Sequence, residues 1–305
     1  MPRQKKAFSG KVSDVDLRLM RVFKTVIECG GLSAAQTELG VGRSTISRQI
    51  SDLETRLGLR LCHRGRKGFS LTQHGRIALG YMDVFLKSAD DFTSNIASIN
   101  KRMVGKIDIG MVDYTVSDAK NPLVPAIQKY QELAPGVCVD LMSGSPNEVE
   151  RGVIDGTLHI GIIPDYQRHT SLKYHKLYDE PVGLYCGGDH ALVESVRNNI
   201  ALSEQEVCKH KLVFRGYFES ARLRKRKQKF PVGSTVYQTE AVLALVRSGV
   251  YLGFFPVHCQ DLMHGEYYEL LPEVFRYSTP ICAIWRGDRK DSYILQDFLE
   301  LLRGS

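Results

Sequence analysis

The sequence predicts a multidomain chain: an α-helical winged helix-turn-helix domain over residues 1–71, a long linker helix over 72–104, and an α/β domain over 105–305. Three observations carry that prediction. Basic residues concentrate near the N-terminus, two short helices there are joined by a tight glycine turn, and beyond residue 105 apolar strands alternate with amphipathic helices. A length of 305 residues also exceeds the usual size of a single hydrophobic core.

Residues 1–90 hold 16 Lys and Arg against 8 Asp and Glu, whereas the remainder holds 25 against 26. All the basic excess therefore sits in the first domain, and a polyanion is the expected partner of that domain alone. The composition, 43% apolar and 25% charged, is that of a globular protein. No apolar run is long enough to span a bilayer, and the polar start MPRQKKAFSGK lacks the apolar core of a signal peptide, so a cytoplasmic location is expected. Seven cysteines, odd in number and with no C-x-x-C pair, read as reduced structural thiols.

Ser13 and Asp16 form an S-x-x-D capping signature, after which Leu19, Met20, Phe23, Val26 and Ile27 recur at helical spacing until Gly30-Gly31. A second capping box, Ser33-Ala34-Ala35-Gln36, opens a short helix that ends at Gly40. Only Gly40-Val41-Gly42 separates it from the next helix, in which Ile46, Ile50, Leu53 and Leu57 share one narrow face. Opposite them lie Ser44, Ser47, Arg48 and Ser51, short donors for phosphates and an arginine suited to guanine edges. Arg43 stands at the helix start, where the macrodipole disfavours a cation unless an anion lies outside. Ser33, Arg43, Ser44, Thr45, Ser47, Arg48 and Ser51 are the candidate DNA contacts of the two helices. Residues 59–71 alternate around a basic glycine-bearing tip, which reads as a two-stranded wing whose Arg64, Arg66 and Lys67 meet phosphates or the minor groove.

From Thr72, an N-cap, a long helix begins. Its Ala78, Met82, Phe85, Ala89, Phe92, Ile96, Ile99 and Met103 alternate in steps of 4 and 3, a heptad seam that would pair two chains. Two-fold recognition of DNA needs such a pairing.

The stretch SAAQTELGVGRSTISRQISDLETRLGLRLCHRGRKGFSLTQHG, Ser33 to Gly75, with a linker helix behind it, resembles the LysR-type family of bacterial transcriptional regulators. Members of that family commonly carry Ser-Gln where this chain has Gly42-Arg43, and an aromatic residue where it has Cys62, so the departure at Arg43 bears on operator preference. Gly42 still serves as an N-cap.

Along the rest of the chain, strands are expected at Lys106–Met111, Val137–Met142, Leu158–Ile163, in VGLYCG after Pro181, in KLVFRG, at Tyr251–Phe255 and in ICAIWR. Helices are expected at Pro122–Leu133, Asn147–Asp155, Glu240–Arg247 and Tyr293–Leu302. The order is similar to the family's effector-binding domain, a periplasmic-binding-protein-like fold. The resemblance implies two α/β lobes joined by two crossover strands, lobe I over 105–183 and 286–305 and lobe II over 184–285.

Ligands in such sheets lie outside the carboxyl ends of strands. That rule selects Tyr114, Thr115, Ser143, Ser145 and Asp165 from the first lobe and Phe214, Arg215, Tyr217, Gln238 and Thr239 from the second. Arg215 is the natural partner of a carboxylate, which a guanidinium binds through two parallel hydrogen bonds. The densest charge in the chain, Arg222 to Lys229, reads as a solvated helix or loop, with an inter-subunit or auxiliary DNA contact as the alternative.

The resemblance therefore implies a ligand-responsive regulator with an operator DNA and a small-molecule effector, a small carboxylate, as partners. It further implies a homodimer through the linker helix, a homotetramer through the effector domains, and RNA polymerase as a further partner. No enzyme is expected, because P-loop, G-x-S-x-G, H-E-x-x-H and dinucleotide fingerprints are missing, and no cofactor or metal is expected. A ligand-independent DNA binder and an enzyme fused to a helix-turn-helix are the competing readings.

Overall fold

The computed structural model describes residues 10–65, 68–99, 103–217, 219, 221–262, 267–288 and 293–304. Its two compact units meet in sequence between Phe92 and Thr93.

In the first unit, Asp16 accepts hydrogen bonds from Ser13 N at 2.8 Å and Ser13 Oγ at 2.6 Å, which starts α1 (Asp14–Glu28). The Ser33 capping box does not form. Gln36 Nε2 donates instead to the Ser33 carbonyl at 3.1 Å, and its Oε1 accepts from Arg43 N at 3.0 Å, so this amide joins α2 (Ala35–Leu39) to the first turn of α3 (Arg43–Leu57). Gly40 makes the tight turn possible with a left-handed φ of 63°, strained for any residue with a Cβ. Strands β1 (Cys62–Gly65) and β2 (Gly68–Leu71) pair antiparallel, Cys62 opposite Leu71, as the wing.

Thr72 Oγ1 accepts from Gly75 N at 2.8 Å and so caps α4 (Gln73–Ile99). A Cβ on Gly75 would stand 1.9 Å from the Leu61 carbonyl oxygen, so only glycine lets this helix approach the wing. Leu19, Phe23, Val26, Ile46, Ile50, Leu53, Leu61, Met82 and Leu86 close the core of this unit.

The seam expected along α4 splits between two faces. Ala78 and Met82 pack inward with Leu79 and Leu86, whereas Ile77, Tyr81, Phe85, Phe92 and Ile96 are exposed. The helix also ends before Met103, which packs on the core of the second unit, and the side chain of Ile99 lies outside the description.

In the second unit the elements follow as β3 (Val104–Met111), α5 (Leu123–Leu133), β4 (Gly136–Ser143), α6 (Pro146–Asp155), β5 (Ile160–Pro164), β6 (Leu172–Gly187), α7 (Val193–Arg197), α8 (Glu204–Val207) and β7 (Leu212–Arg215). Then come α9 (Ala221–Lys227), β8 (Val232–Val236), α10 (Thr239–Arg247), β9 (Leu252–Pro256), α11 (His258–Leu262), β10 (Tyr267–Glu269), α12 (Pro272–Phe275), β11 (Tyr277–Arg286) and α13 (Tyr293–Arg303). Strand order is β4-β3-β5-β11-β6-β9-β7-β8, with β10 beside β6.

Two parallel trios, β4-β3-β5 and β9-β7-β8, are thus bridged by the antiparallel pair β6 and β11. These two long strands are the crossovers. Because β11 pairs with β5 through Ile281–Ile284, the second crossing falls inside β11 and not at its end. Each lobe buries both faces of its sheet. In lobe I, α5 and α13 cover one face, where Tyr130 meets Phe298 edge-on at 5.1 Å, while Val149 and Val153 of α6 cover the other. Near-continuous apolar strands such as β5, buried throughout, are what a sheet covered on both sides requires. Among the described residues no helix is long and apolar enough to cross a membrane, and all seven cysteines are free thiols.

Candidate nucleic-acid interface and effector cleft

The exposed face of α3 begins at Arg43, which follows the N-cap Gly42, and its first turn holds no acidic residue. Free amide groups and the positive end of the macrodipole already favour an anion there, and Arg43 adds a full charge. Ser33, Arg43, Ser44, Thr45 and Arg48 are all exposed. Among the described residues no carboxylate pairs with Arg43 or Arg48.

Arg64 behaves differently from the sequence expectation. Its Nη1 donates to the Ser47 carbonyl at 2.8 Å and to Ser51 Oγ at 3.2 Å, and its Nη2 pairs with Glu54. Glu54 also accepts from Leu61 N at 2.7 Å and Cys62 N at 3.2 Å. Arg64 is therefore neutralised inside the domain and fastens the wing to α3, with Ser47 and Ser51 as partners in that fastening. Even so, Ser33, Arg43 and Arg64 border one depression beside Gly31 and Phe69. Arg66 and Lys67, read from the sequence as wing contacts, lie outside the described residues.

In the second unit a cleft of about 40 Å³ opens between the lobes. At roughly 10–15 Å³ per water-sized centre this is room for a group of a few heavy atoms. Residues at or just beyond the carboxyl ends of strands form much of its wall: Val112 and Asp113 after β3, Tyr166 after β5, Arg215 and Tyr217 at β7, Tyr237 and Thr239 after β8. Arg215 Nη2 donates to Thr239 Oγ1 at 3.2 Å, and the guanidinium lies 5.7 Å from the Tyr217 ring centroid. Tyr217 stacks on Tyr166 at 6.2 Å, and burial pushes both hydroxyls, with that of Tyr277, above the ordinary tyrosine range.

Asp113 of lobe I reaches the start of α10 in lobe II. Its carboxylate accepts from Thr239 N, from Glu240 N at 3.2 Å and from Thr239 Oγ1 at 3.1 Å. Since Gln238 makes no side-chain cap, a carboxylate from the other lobe satisfies the first amides of this helix.

A family model for the LysR substrate binding domain matches residues 101–305, and one for the bacterial regulatory helix-turn-helix protein, lysR family, matches residues 17–76. The chain belongs to the LysR family. It is thus a LysR-type DNA-binding transcriptional regulator with an effector-binding domain. It is 34% identical over 302 residues to the HTH-type transcriptional activator BauR of Pseudomonas aeruginosa, 98% of each chain being covered. It is 22% identical over 296 residues, 95% of this chain and 98% of the relative, to the HTH-type transcriptional regulator SoxR of Arthrobacter. In fold it is similar to full-length CbnR complexed with target DNA, with a TM-score of 0.66, 21% identity and 94% and 99% of the two chains covered. Full-length OxyR of Pseudomonas aeruginosa gives a TM-score of 0.59 at 17% identity, covering 96% and 95%.

Of the ten residues read from the sequence as effector contacts, the cleft brings together Arg215, Tyr217 and Thr239. The others have different environments. Thr115 is buried and donates to the Val112 carbonyl at 2.7 Å, and Tyr114 turns the chain at a left-handed φ of 61°. Ser145 caps α6 in a capping box with Glu148, Asp165 pairs with Arg168 at 2.7 Å, and Phe214 packs in the lobe II core. Ser143 and Gln238 are exposed and outside the cleft.

Sequence reasoning missed Asp113, Tyr166, Glu180, Glu219, Lys227 and Tyr277, which also line it. Lys227 belongs to the basic run read as solvated, yet it is 1% exposed and paired with the buried Glu219. Burial pulls its ammonium below the ordinary lysine range. The available signal was its spacing from Leu223, one turn earlier on the buried face of α9. Arg226, which donates to the Phe275 carbonyl at 3.1 Å, and Lys229, paired with Glu204 at 2.7 Å, also serve lobe II.

Proposed function

We propose that this regulator binds a small carboxylate between its lobes and that the ligand sets the spacing of its DNA-binding heads. The observation that carries the reading is Arg215: it stands in the cleft beside the N-terminus of α10, and among the described residues Thr239 Oγ1 is its one hydrogen-bond acceptor. Guanidinium, hydroxyl and helix N-terminus together suit a carboxylate. Asp113 already presents such a group to α10 from lobe I, so a ligand carboxylate would compete with the contact that joins the lobes there. Only a ligand that favours one lobe arrangement over the other can act as an effector. Thermal-shift and calorimetric screening with small carboxylates tests the assignment, with Arg215→Gln expected to weaken any hit at least about tenfold. Equal affinity in that variant would remove Arg215 from the site, and turnover of any compound would favour the enzyme reading.

On the DNA side the proposal assigns Arg48, with Ser44, Thr45, Ser47 and Ser51, to the major-groove face, and Ser33 and Arg43 to phosphates. Arg66 and Lys67 take the wing contacts, and Arg64 positions the wing. The division into a winged domain over 1–71, a linker helix over 72–104 and an effector domain over 105–305 belongs to the same reading. So does a homodimer through α4, supported by the exposed Phe85, Phe92 and Ile96, with a tetramer assembled through the effector domains. Activation through RNA polymerase in the cytoplasm is the proposed output, supported by the 34% identity to a transcriptional activator.

A further inference from the structure

We propose that Asp118, Glu180 and His258 form a binding site for one first-row divalent metal ion of the zinc class; Glu180 also lines the cleft, so the site adjoins that of the carboxylate reading above. Asp118 follows β3 in lobe I, Glu180 lies on the crossover strand β6, and His258 opens α11 in lobe II. One donor atom from each lies within 4.8 Å of the other two. His258 Nε2 stands 3.2 Å from Glu180 Oε1, and around an ion bound at about 2.0–2.2 Å tetrahedral donors sit roughly 3.3 Å apart. Small side-chain shifts therefore complete three legs of a tetrahedron, with the fourth left to water.

The surroundings match a metal centre in three further respects. First, the other imidazole nitrogen, His258 Nδ1, lies 2.9 Å from Ser117 Oγ, the outer partner that fixes a ligating histidine's tautomer, and Asp118 Oδ1 accepts from Lys120 N at 2.9 Å. Second, Asp118 and Glu180 are 7% and 8% exposed, and among the described residues no lysine or arginine pairs with either. Two buried carboxylates against one imidazole leave negative charge that a divalent cation offsets. Third, the buried hydroxyl of Tyr178, two residues before Glu180 and so on the same face of β6, has no hydrogen-bond partner. A water on the ion's fourth position would supply that partner.

One imidazole and few donors argue for a borderline ion over calcium or magnesium, which take six or more oxygens. Because the donors come from both lobes and a crossover, bound metal would favour the arrangement in which they converge, and through Glu180 it would stand beside the cleft ligand.

The test uses full-length protein stripped by chelator and titrated with Co²⁺, followed by Zn²⁺ competition and calorimetry. Expected are one Co²⁺ per chain, visible bands of a nitrogen and oxygen site, and displacement by one Zn²⁺. His258→Gln should weaken binding more than about tenfold, and Ser117→Ala, which removes no ligand, by about tenfold. Should His258→Gln fail to fold, the wild-type spectrum and Ser117→Ala decide. Absence of saturable binding, thiolate charge-transfer bands, or wild-type affinity in both variants would overturn the proposal. Carboxylate binding by the Arg215→Gln variant is read separately, so the two proposals can fail independently.

Discussion

Replacing Asp113 by alanine removes the contact through which lobe I holds the first turn of α10. Three hydrogen bonds go: from Thr239 N, Glu240 N and Thr239 Oγ1. An N-cap acceptor lost to alanine costs about 0.5–2 kcal/mol, and a carboxylate at a helix N-terminus contributes about 0.3–1 kcal/mol more at moderate exposure. Local substitutes are lacking, because Gln238 makes no side-chain cap, so the full effect of about 2 kcal/mol should appear at α10. In hydrogen exchange that free energy is about a thirtyfold faster opening of the amides at the start of the helix. Mass-spectrometric exchange on the peptide covering 237–247 reads it directly. Asp113→Asn, which keeps an acceptor but loses the charge, should fall between the two. Unchanged protection at Thr239 and Glu240 would refute the reasoning, as would equal acceleration across the winged domain, which Asp113 does not belong to.

Arg48→Ala should reduce discrimination between operator and random DNA by about 1–3 kcal/mol, whereas Arg43→Ala should weaken both alike and lower the salt slope by about one; footprinting at several salt concentrations separates them, and uniform loss from Arg48→Ala would sink its base-reading role. Burial, with the His210 ring 4.7 Å away, pulls His190 from its ordinary 6.5 down to about 4. The unfolded chain then binds the proton that the folded lobe refuses, so stability is greatest above pH 6.5 and falls by up to about 3 kcal/mol as the pH drops towards 4. His190→Asn keeps an acceptor for Leu192 N, and urea titrations across that window should show a flatter slope. Phe92→Lys, on the exposed stripe of α4 at 67% exposure, should shift sedimentation towards monomer without changing the helix content seen by circular dichroism; an unaltered mass distribution would remove this face from the dimer contact.

Much of the architecture was legible because it rests on local periodicity and punctuation. Ile46, Ile50 and Leu53 repeat at helical spacing between two glycines, and all three are fully buried. The same spacing misled at α4, where Ala78 and Met82 fit a heptad with Phe85 and Phe92. Period alone does not say that one helix serves two partners, its own core at Met82 and Leu86 and the outside at Phe85 and Phe92. Signs of capping were read well where the competing group was local, as at Ser13 and Thr72. At Ser33 the prediction failed because Gln36 found a better acceptor use in the next helix, at Arg43 N.

The cleft shows where such reading stops. The rule that ligands lie beyond the carboxyl ends of parallel strands led to the loops that line it and to Arg215, Tyr217 and Thr239, yet in lobe I it led to Tyr114 and Asp165, where the adjacent Asp113 and Tyr166 form the wall. Tyr114 was chosen for its hydroxyl, but the chain turns there at a left-handed φ, and it is Asp113 that faces α10. Serine and threonine were chosen as donors, but Thr115 and Ser145 spend their hydroxyls on the backbone and on a helix cap, the commonest use of those groups in loops. Charge was harder still. Spacing from Leu223 puts Lys227 on the buried face of α9, away from the exposed Arg224 and Lys225, but that spacing does not show the buried Glu219 that makes a buried lysine tolerable. Asp118 and His258 stand far apart in sequence, and only the two crossover strands, by setting one lobe against the other, bring them within reach of Glu180. Groups whose role depends on that lobe setting are the ones a ligand or an ion can act through, and for the same reason no local pattern marks them.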